Sequence, residues 1–267
     1  MSPGALSPLI QVQGLAFDVF GTTVNWRKTV SEELYLRAYR KLNSDLPAQV
    51  SERLQNLTKE DWDRFAQEWR DSYYAFTRSW DPEKDAWKSV DEHHRDSLVS
   101  LLESWGLPNL YGEAALQSLS LVWHRLEPWD DAPEGLALLG AKMATATLSN
   151  GNSALLEDLN EFGGLGFHKL LSAETFGRYK PDPATYLGAA RELGLEPHQV
   201  ALVAAHLGDL QAARDCGLRT IYVEREGEEA WSRDEERYTE AKRWVDLWIP
   251  KEDYGFVELA RQLAELE

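Results

Sequence analysis

Four short polar clusters hold the side chains of this chain that could do chemistry. Asp18 and Thr22 lie in the stretch LAFDVFGTT at 15–23, Ser149 and Asn150 follow the run Ala144–Leu148, Tyr179-Lys180-Pro181-Asp182 precedes Tyr186, and Ala204 to Asp209 read AAHLGD. The first is the most telling. A short apolar run, Leu15-Ala16-Phe17, delivers one carboxylate to its end, and Gly21 then turns the chain away. A carboxylate attacks carbon well only when it is desolvated yet kept ionised, and a nearby cation favours the charged form. Lys180 can supply that cation, the hydroxyls of Thr22 and Ser149 can aim the attacking oxygen, and Asp209 can orient or deprotonate a water.

Such residues must be gathered by the elements that carry them. Gly14–Asp18, the run Ala144–Leu148 leading to Ser149 and Asn150, and Val200–Ala205 read as buried strands ending in polar residues, and Thr220–Val223 is a further short strand candidate. Helical patterns over Ser153–Phe162, Asp182–Leu193 and Leu210–Cys216 separate them. Strands alternating with helices predict a parallel, doubly wound sheet, whose carboxyl edge collects strand-end residues in one crevice. Proline just inside one helix at Pro183, with Gly194 and Gly217 past helix ends, marks the boundaries.

Residues 27 to 128 have another texture. Trp62, Phe65, Ala66 and Trp69 recur at helical spacing, as do Leu98, Leu101, Leu102 and Trp105, with breaks at Pro47, Pro82, Gly106-Leu107-Pro108 and Gly112. This predicts an all-helical insert, rooted after the Asp18 strand, that packs its own core and can act as a lid. The acidic stretch 224 to 240 reads as a solvated loop or helix face.

Composition narrows the function. The 267 residues are 43% hydrophobic and 27% charged, ordinary for a globular protein. A net charge of −17 argues against nucleic acid and anionic membranes as partners. One cysteine, Cys216, excludes an internal disulfide framework and suits a reducing cytosol. The first dozen residues are too polar for a signal peptide and no run reaches membrane-spanning length, so a cytoplasmic protein is expected.

Taken in order, DVFGT at 18–22, LSNG at 148–151, YKPD at 179–182 and AAHLGDL at 204–210 resemble the four motifs of the haloacid dehalogenase superfamily, and within it the L-2-haloacid dehalogenases. The resemblance runs from about residue 13 to nearly the end of the chain. It implies an α/β fold with a Rossmann-like parallel core over 13–26 and 129–267, a helical cap over 27–128, and an N-terminal extension over 1–12. By the same match Asp18 is the nucleophile, Ser149 and Lys180 hold its carboxylate, and Asp209 is the acid of the last motif. EWRD at 68–71 resembles the family segment bearing a halide-binding arginine, which assigns Arg70, with Arg64 and Arg78 in reserve and Asn150 as a second donor. Asn150 could alternatively cap the helix beginning near Gly151, and Arg70 could be a surface ion-pair residue. Tyr186 matches a tyrosine near the substrate carboxylate, or serves as a packing residue. Phe20 and Trp26 would give an apolar wall.

Two departures refine the reading. Magnesium-dependent phosphatases of the superfamily carry acids where this chain has Phe20 and Ala205, so a metal ligand and a general acid are missing. Halide needs no proton on leaving, and the expectation is therefore a dehalogenase with no cofactor and no metal. The second departure is Ala204 and His206, where relatives have a serine and an asparagine. His206 either positions the hydrolytic water, as a base, or is a satisfied strand-end histidine. Its larger ring would suit a small halide such as fluoride. The implied partners are a small haloacid and the halide, with a homodimer as a further expectation from the resemblance. A phosphatase of small metabolites and a non-catalytic binding protein stand as alternatives.

Overall fold

A computed structural model of the chain describes residues 8–266. Of the expected N-terminal extension, residues 1–7 lie outside the described residues, and Pro8–Gln11 form a single 3-10 turn. The chain divides into two compact units, Asn25–Glu127 and the residues on either side of it. The first strand, β1 (Gly14–Phe17), ends one residue before Asp18. The Asn25–Glu127 unit follows, with α1 (Trp26–Lys41), α2 (Ala48–Gln55), α3 (Lys59–Ser79), α4 (Val90–Ser104) and α5 (Glu113–Ser120). The chain then returns through α6 (Ala132–Gly140), β2 (Ala144–Thr147), α7 (Ser153–Phe162), α8 (Ala173–Phe176) and α9 (Pro183–Leu193). It closes with β3 (Val200–Ala204), α10 (Leu207–Asp215), β4 (Arg219–Val223), α11 (Glu236–Trp244), β5 (Leu247–Ile249) and α12 (Gly255–Ala264).

The five strands are parallel in the order β2-β1-β3-β4-β5. Phe17 stands in register with both Thr147 and Val203, so Asp18, Ser149 and His206 emerge from one edge. The chain steps from β1 to β2 on one side of it and then crosses to β3 on the other, so β1 borders the switch point at which doubly wound sheets open a crevice. Helix boundaries follow local chemistry. Asp182 accepts from the Ala184 amide to cap α9, Pro183 sits at its start, and Gly194 closes it in the left-handed region. Gly135 lets α6 meet α12, because a Cβ there would fall 2.6 Å from the Phe256 carbonyl carbon.

In the helical unit, Thr58 and Asp61 form a capping box at the start of α3. Trp62, Phe65, Ala66, Trp69 and Tyr73 make its buried face, and α1 and α4 pack against it. Aromatic pairs fill this core, with Trp69 on Trp123 at 5.3 Å and Phe65 on Trp105 at 5.2 Å. No helix among the described residues is long and apolar enough to cross a membrane.

The acidic stretch departs from its sequence reading. Arg225 and Glu228 are buried, not solvated. Arg225 forks onto Asp131 at 2.6 and 2.9 Å and donates to the Thr22 carbonyl at 3.0 Å. The charge run follows a parallel strand, so it enters the edge where the polar clusters gather, and burial is compensated by pairing. Around them the stretch is solvated, with Glu226, Gly227, Ala230, Ser232, Arg233 and Asp234 exposed, and α11 then presents a largely exposed face.

Candidate active site

Asp18 sits where β1 gives way to a tight loop. Its amide donates to Val203 O at 3.0 Å, which fixes the backbone on β3. Lys180 Nζ donates to Oδ1 at 2.9 Å, while Thr22 donates to Oδ2 at 2.7 Å. Thr22 Oγ1 in turn accepts from the Ala205 amide at 2.9 Å, so its hydroxyl proton is aimed at the carboxylate. His206 Nδ1 lies 3.0 Å from the same oxygen, Oδ2. Burial works against charge on Asp18, but Lys180 and His206 outweigh it and hold the carboxyl far below the usual carboxylate range. It is a buried, ionised carboxylate.

Lys180 also donates to Asp209 Oδ2 at 2.5 Å. Burial alone would lower its affinity for a proton, yet Asp18 and Asp209 reverse this and raise it, so the ammonium persists. The other Asp209 oxygen accepts from the Tyr186 hydroxyl at 2.6 Å. Tyr186 is wholly buried on α9, and burial with the adjacent Asp209 charge raises its hydroxyl pKa well above the ordinary value.

Asn150 clasps the main chain of Lys180. Its Oδ1 accepts from Lys180 N at 2.6 Å, and its Nδ2 donates to Lys180 O at 3.4 Å. The cap position of α7 is Asn152, two residues on, so the capping alternative for Asn150 is set aside. Ser149 is buried in the same turn, where its Oγ accepts from the Gly151 amide at 3.1 Å. Among the described residues no hydrogen bond joins Ser149 to the Asp18 carboxylate. Phe20 is buried in the loop that follows Asp18, two residues after it.

The helical unit holds the arginines. Arg70 is buried on α3, with its guanidinium 4.4 Å from the ring centre of Tyr74, 4.5 Å from Tyr73 and 5.7 Å from Trp26. It also donates to the Tyr74 hydroxyl at 3.0 Å. This is an interior cation among aromatic faces, and the surface alternative does not describe it. Arg64 is exposed and paired with Asp61 at 2.8 Å. Arg78 lies over Tyr74 at 5.5 Å.

Sequence reasoning missed Glu228, Glu229 and Arg225. Glu228 Oε2 is 3.4 Å from His206 Nε2, and Glu229 caps α10 by accepting from the Leu207 amide at 2.7 Å. The signal was present: these residues follow β4 as the recognised clusters follow β1 to β3. Among the described residues, Asp18 and Asp209 meet an ammonium, hydroxyls and an imidazole, and no group of three or more acids, histidines or cysteines is placed to hold a metal.

The family profile of haloacid dehalogenase-like hydrolases matches residues 12–217. The chain belongs to that family. Within it the likeness is to L-2-haloacid dehalogenases. The solved L-2-haloacid dehalogenase PA0810 is 35% identical, with a TM-score of 0.77 over 95% of this chain and 99% of its own. The defluorinating L-2-haloacid dehalogenase Rha0230 is 30% identical, with a TM-score of 0.79 over 95% of each. The (S)-2-haloacid dehalogenase 4A of Burkholderia cepacia is 27% identical over 220 residues, 81% of this chain and 84% of that protein. In this dehalogenase-like hydrolase the four polar clusters of the sequence converge around Asp18 and Lys180.

Proposed function

We propose that the chain hydrolyses the carbon–halogen bond of short 2-haloacids, such as haloacetate and L-2-halopropionate, through an ester on Asp18. The observation that carries this reading is the Asp18 environment: a buried carboxylate kept ionised by Lys180, with apolar Phe20 two residues on. An Asp18 oxygen bonds the carbon bearing the halogen, and the carbon–halogen electron pair leaves with halide. Water then bonds Asp18 Cγ, the ester C–O bond breaks, and a 2-hydroxy acid departs with the carboxylate restored. Halide needs no proton, so Phe20 in place of an acid is compatible with the first step.

Lys180 holds the nucleophile, and Asp209 and Asn150 hold Lys180. Thr22 aims the carboxylate, while Ser149 supports the turn beside it. Arg70 is proposed to draw off the halide, since a buried guanidinium gives the preorganised positive charge that step needs. Asn150 keeps one Nδ2 proton beyond its bond to Lys180, so a share in halide binding stays within the proposal. Phe20 and Trp26 would supply apolar surface. No cofactor or metal enters these steps.

Ion-selective measurement of chloride, bromide and fluoride release across a haloacid panel, with and without chelator, tests this. Steady release insensitive to chelator is expected, and Asp18→Asn should abolish it. Retained turnover in that variant, or magnesium-dependent phosphate release in place of halide release, would refute the reading.

A further inference from the structure

His206 stands between two carboxylates. Its Nδ1 is 3.0 Å from Asp18 Oδ2 and its Nε2 is 3.4 Å from Glu228 Oε2. Glu228 is buried, and its amide donates to the carbonyl of Arg225, the residue that grips Asp131 and the Thr22 carbonyl. Its side chain occupies the space beside Gly21, where φ is +83° and a Cβ would fall 2.0 Å from Glu228 Oε2. The turn after Asp18 and the turn after β4 are thus shaped together to seat one carboxylate behind one imidazole.

We propose that Glu228 is a positioning residue for hydrolysis of the Asp18 ester: it orients His206 so that Nδ1 serves as base for the attacking water. The inference rests on the dehalogenase reading above. In the resting site, carboxylates on both sides favour an imidazolium that donates to each. Alkylation turns Asp18 into a neutral ester, and His206 gives its Nδ1 proton to solvent, the one proton that hydrolysis of a carbon–halogen bond releases. Glu228 keeps the Nε2–H, which leaves the lone pair on Nδ1. The oxygen of water bonds Asp18 Cγ while its proton passes to Nδ1. Collapse of the tetrahedral intermediate breaks the bond from Cγ to the ester oxygen, and the departing alkoxide takes the proton from Nδ1. Asp18, left as the acid, then protonates His206 and the resting pair returns. This sequence supplies the alkoxide with the acid that Phe20 cannot provide.

The charged groups that face His206 include Asp18, Glu228, Glu229, which accepts from the first amide of α10, and Lys180 beyond Asp18. Loss of the Glu228 charge lowers the proton affinity of the imidazole, so the acid limb of ester hydrolysis should move to lower pH.

The test uses the full chain with chloroacetate, following halide release together with rapid-quench mass spectrometry of Asp18. Glu228→Gln and His206→Gln should each give a halide burst of one per site, then slow on the order of 10²-fold as the ester accumulates. The double variant should be no slower than His206→Gln, as expected for residues acting as a unit. Wild-type turnover in Glu228→Gln, or slowing without an accumulated ester, would overturn the inference while leaving the dehalogenase reading intact. Should Glu228→Gln fail to fold, wild type still decides. Its ester fraction must rise as pH falls through the imidazole range, and a pH-independent fraction overturns the proposal. Wild type with neither halide nor ester would remove both readings at once.

Discussion

Lys180 donates to Asp18 and to Asp209, so one buried ammonium serves two carboxylates and leaves the cluster short of positive charge. The Tyr186 hydroxyl shares the second of those carboxylates from inside the α9 face. A neutral donor is what the cluster can accommodate there, since burial and the Asp209 charge both oppose phenolate. Its contribution is therefore to hold Asp209 square to Lys180. Tyr186→Phe should cost about 2 kcal/mol of stability, the range for a lost hydrogen bond to a charged group, and should lower kcat through a less constrained Lys180 while KM stays unchanged. Denaturant unfolding and steady-state kinetics together check this. A raised KM with intact stability would instead put the hydroxyl on the substrate.

On α4, His94 is wholly buried, stacked on Trp123 at 4.4 Å, and among the described residues neither ring nitrogen has a hydrogen-bond partner. Burial, then the nearby His93, Arg70 and His124, hold its pKa well below the usual value, so the ring is a neutral aromatic filler. His94→Phe should leave stability unchanged or raise it by about 1 kcal/mol, because an unsatisfied polar group is removed. Equilibrium unfolding in urea reads this out, and a loss beyond about 2 kcal/mol would contradict it. The same contrast between pattern and environment explains what was legible in the chain. The runs of β1 and β3 are legible because strands buried on both faces are continuously hydrophobic; Asp18 and His206 stand just after them and Ser149 after β2, whereas Lys180 lies between α8 and α9 and is legible only through the YKPD residues around it. Strand β5 is three residues, Leu247–Ile249, at the sheet edge, too short for a period to register. Glu228 was hidden by its neighbours, since a charge run reads as solvated until tertiary structure supplies Gly21, His206 and Arg225 as its surroundings. Nor could spacing show that Asn150 clasps Lys180, thirty residues away.

For the molecule as a whole, acid stability separates buried pairing from surface charge. Asp131 is buried, receives the Arg225 fork and accepts from the Phe256 amide at 2.7 Å. Burial raises its pKa, but Arg225 and that amide outweigh it, so the folded value lies below the ordinary 3.8. Asp18 is shifted in the same direction. A carboxyl with a depressed folded pKa contributes stability that is present above its unfolded pKa and lost as pH falls through the folded one. Lys180 is shifted upward, so its contribution is present below its unfolded value and fails only in strong alkali; it describes the same bonds as Asp18 and is counted once. Stability should hold from neutrality down to about pH 5 and then fall below about pH 4. The net charge of −17 adds a repulsion that acidification first relieves, in the opposite direction. About 0.5 M salt screens that surface part and leaves the buried pairs. Under those conditions Asp131→Asn, which strands Arg225, should lose roughly 3–5 kcal/mol at neutral pH. Its unfolding midpoint should depend less steeply on pH below 4, approaching wild type where Asp131 is protonated in both states. Parallel curves for the two proteins would show that the Arg225 fork contributes no proton-linked stability, and that the turns it joins after β1 and β4 are held together by other contacts.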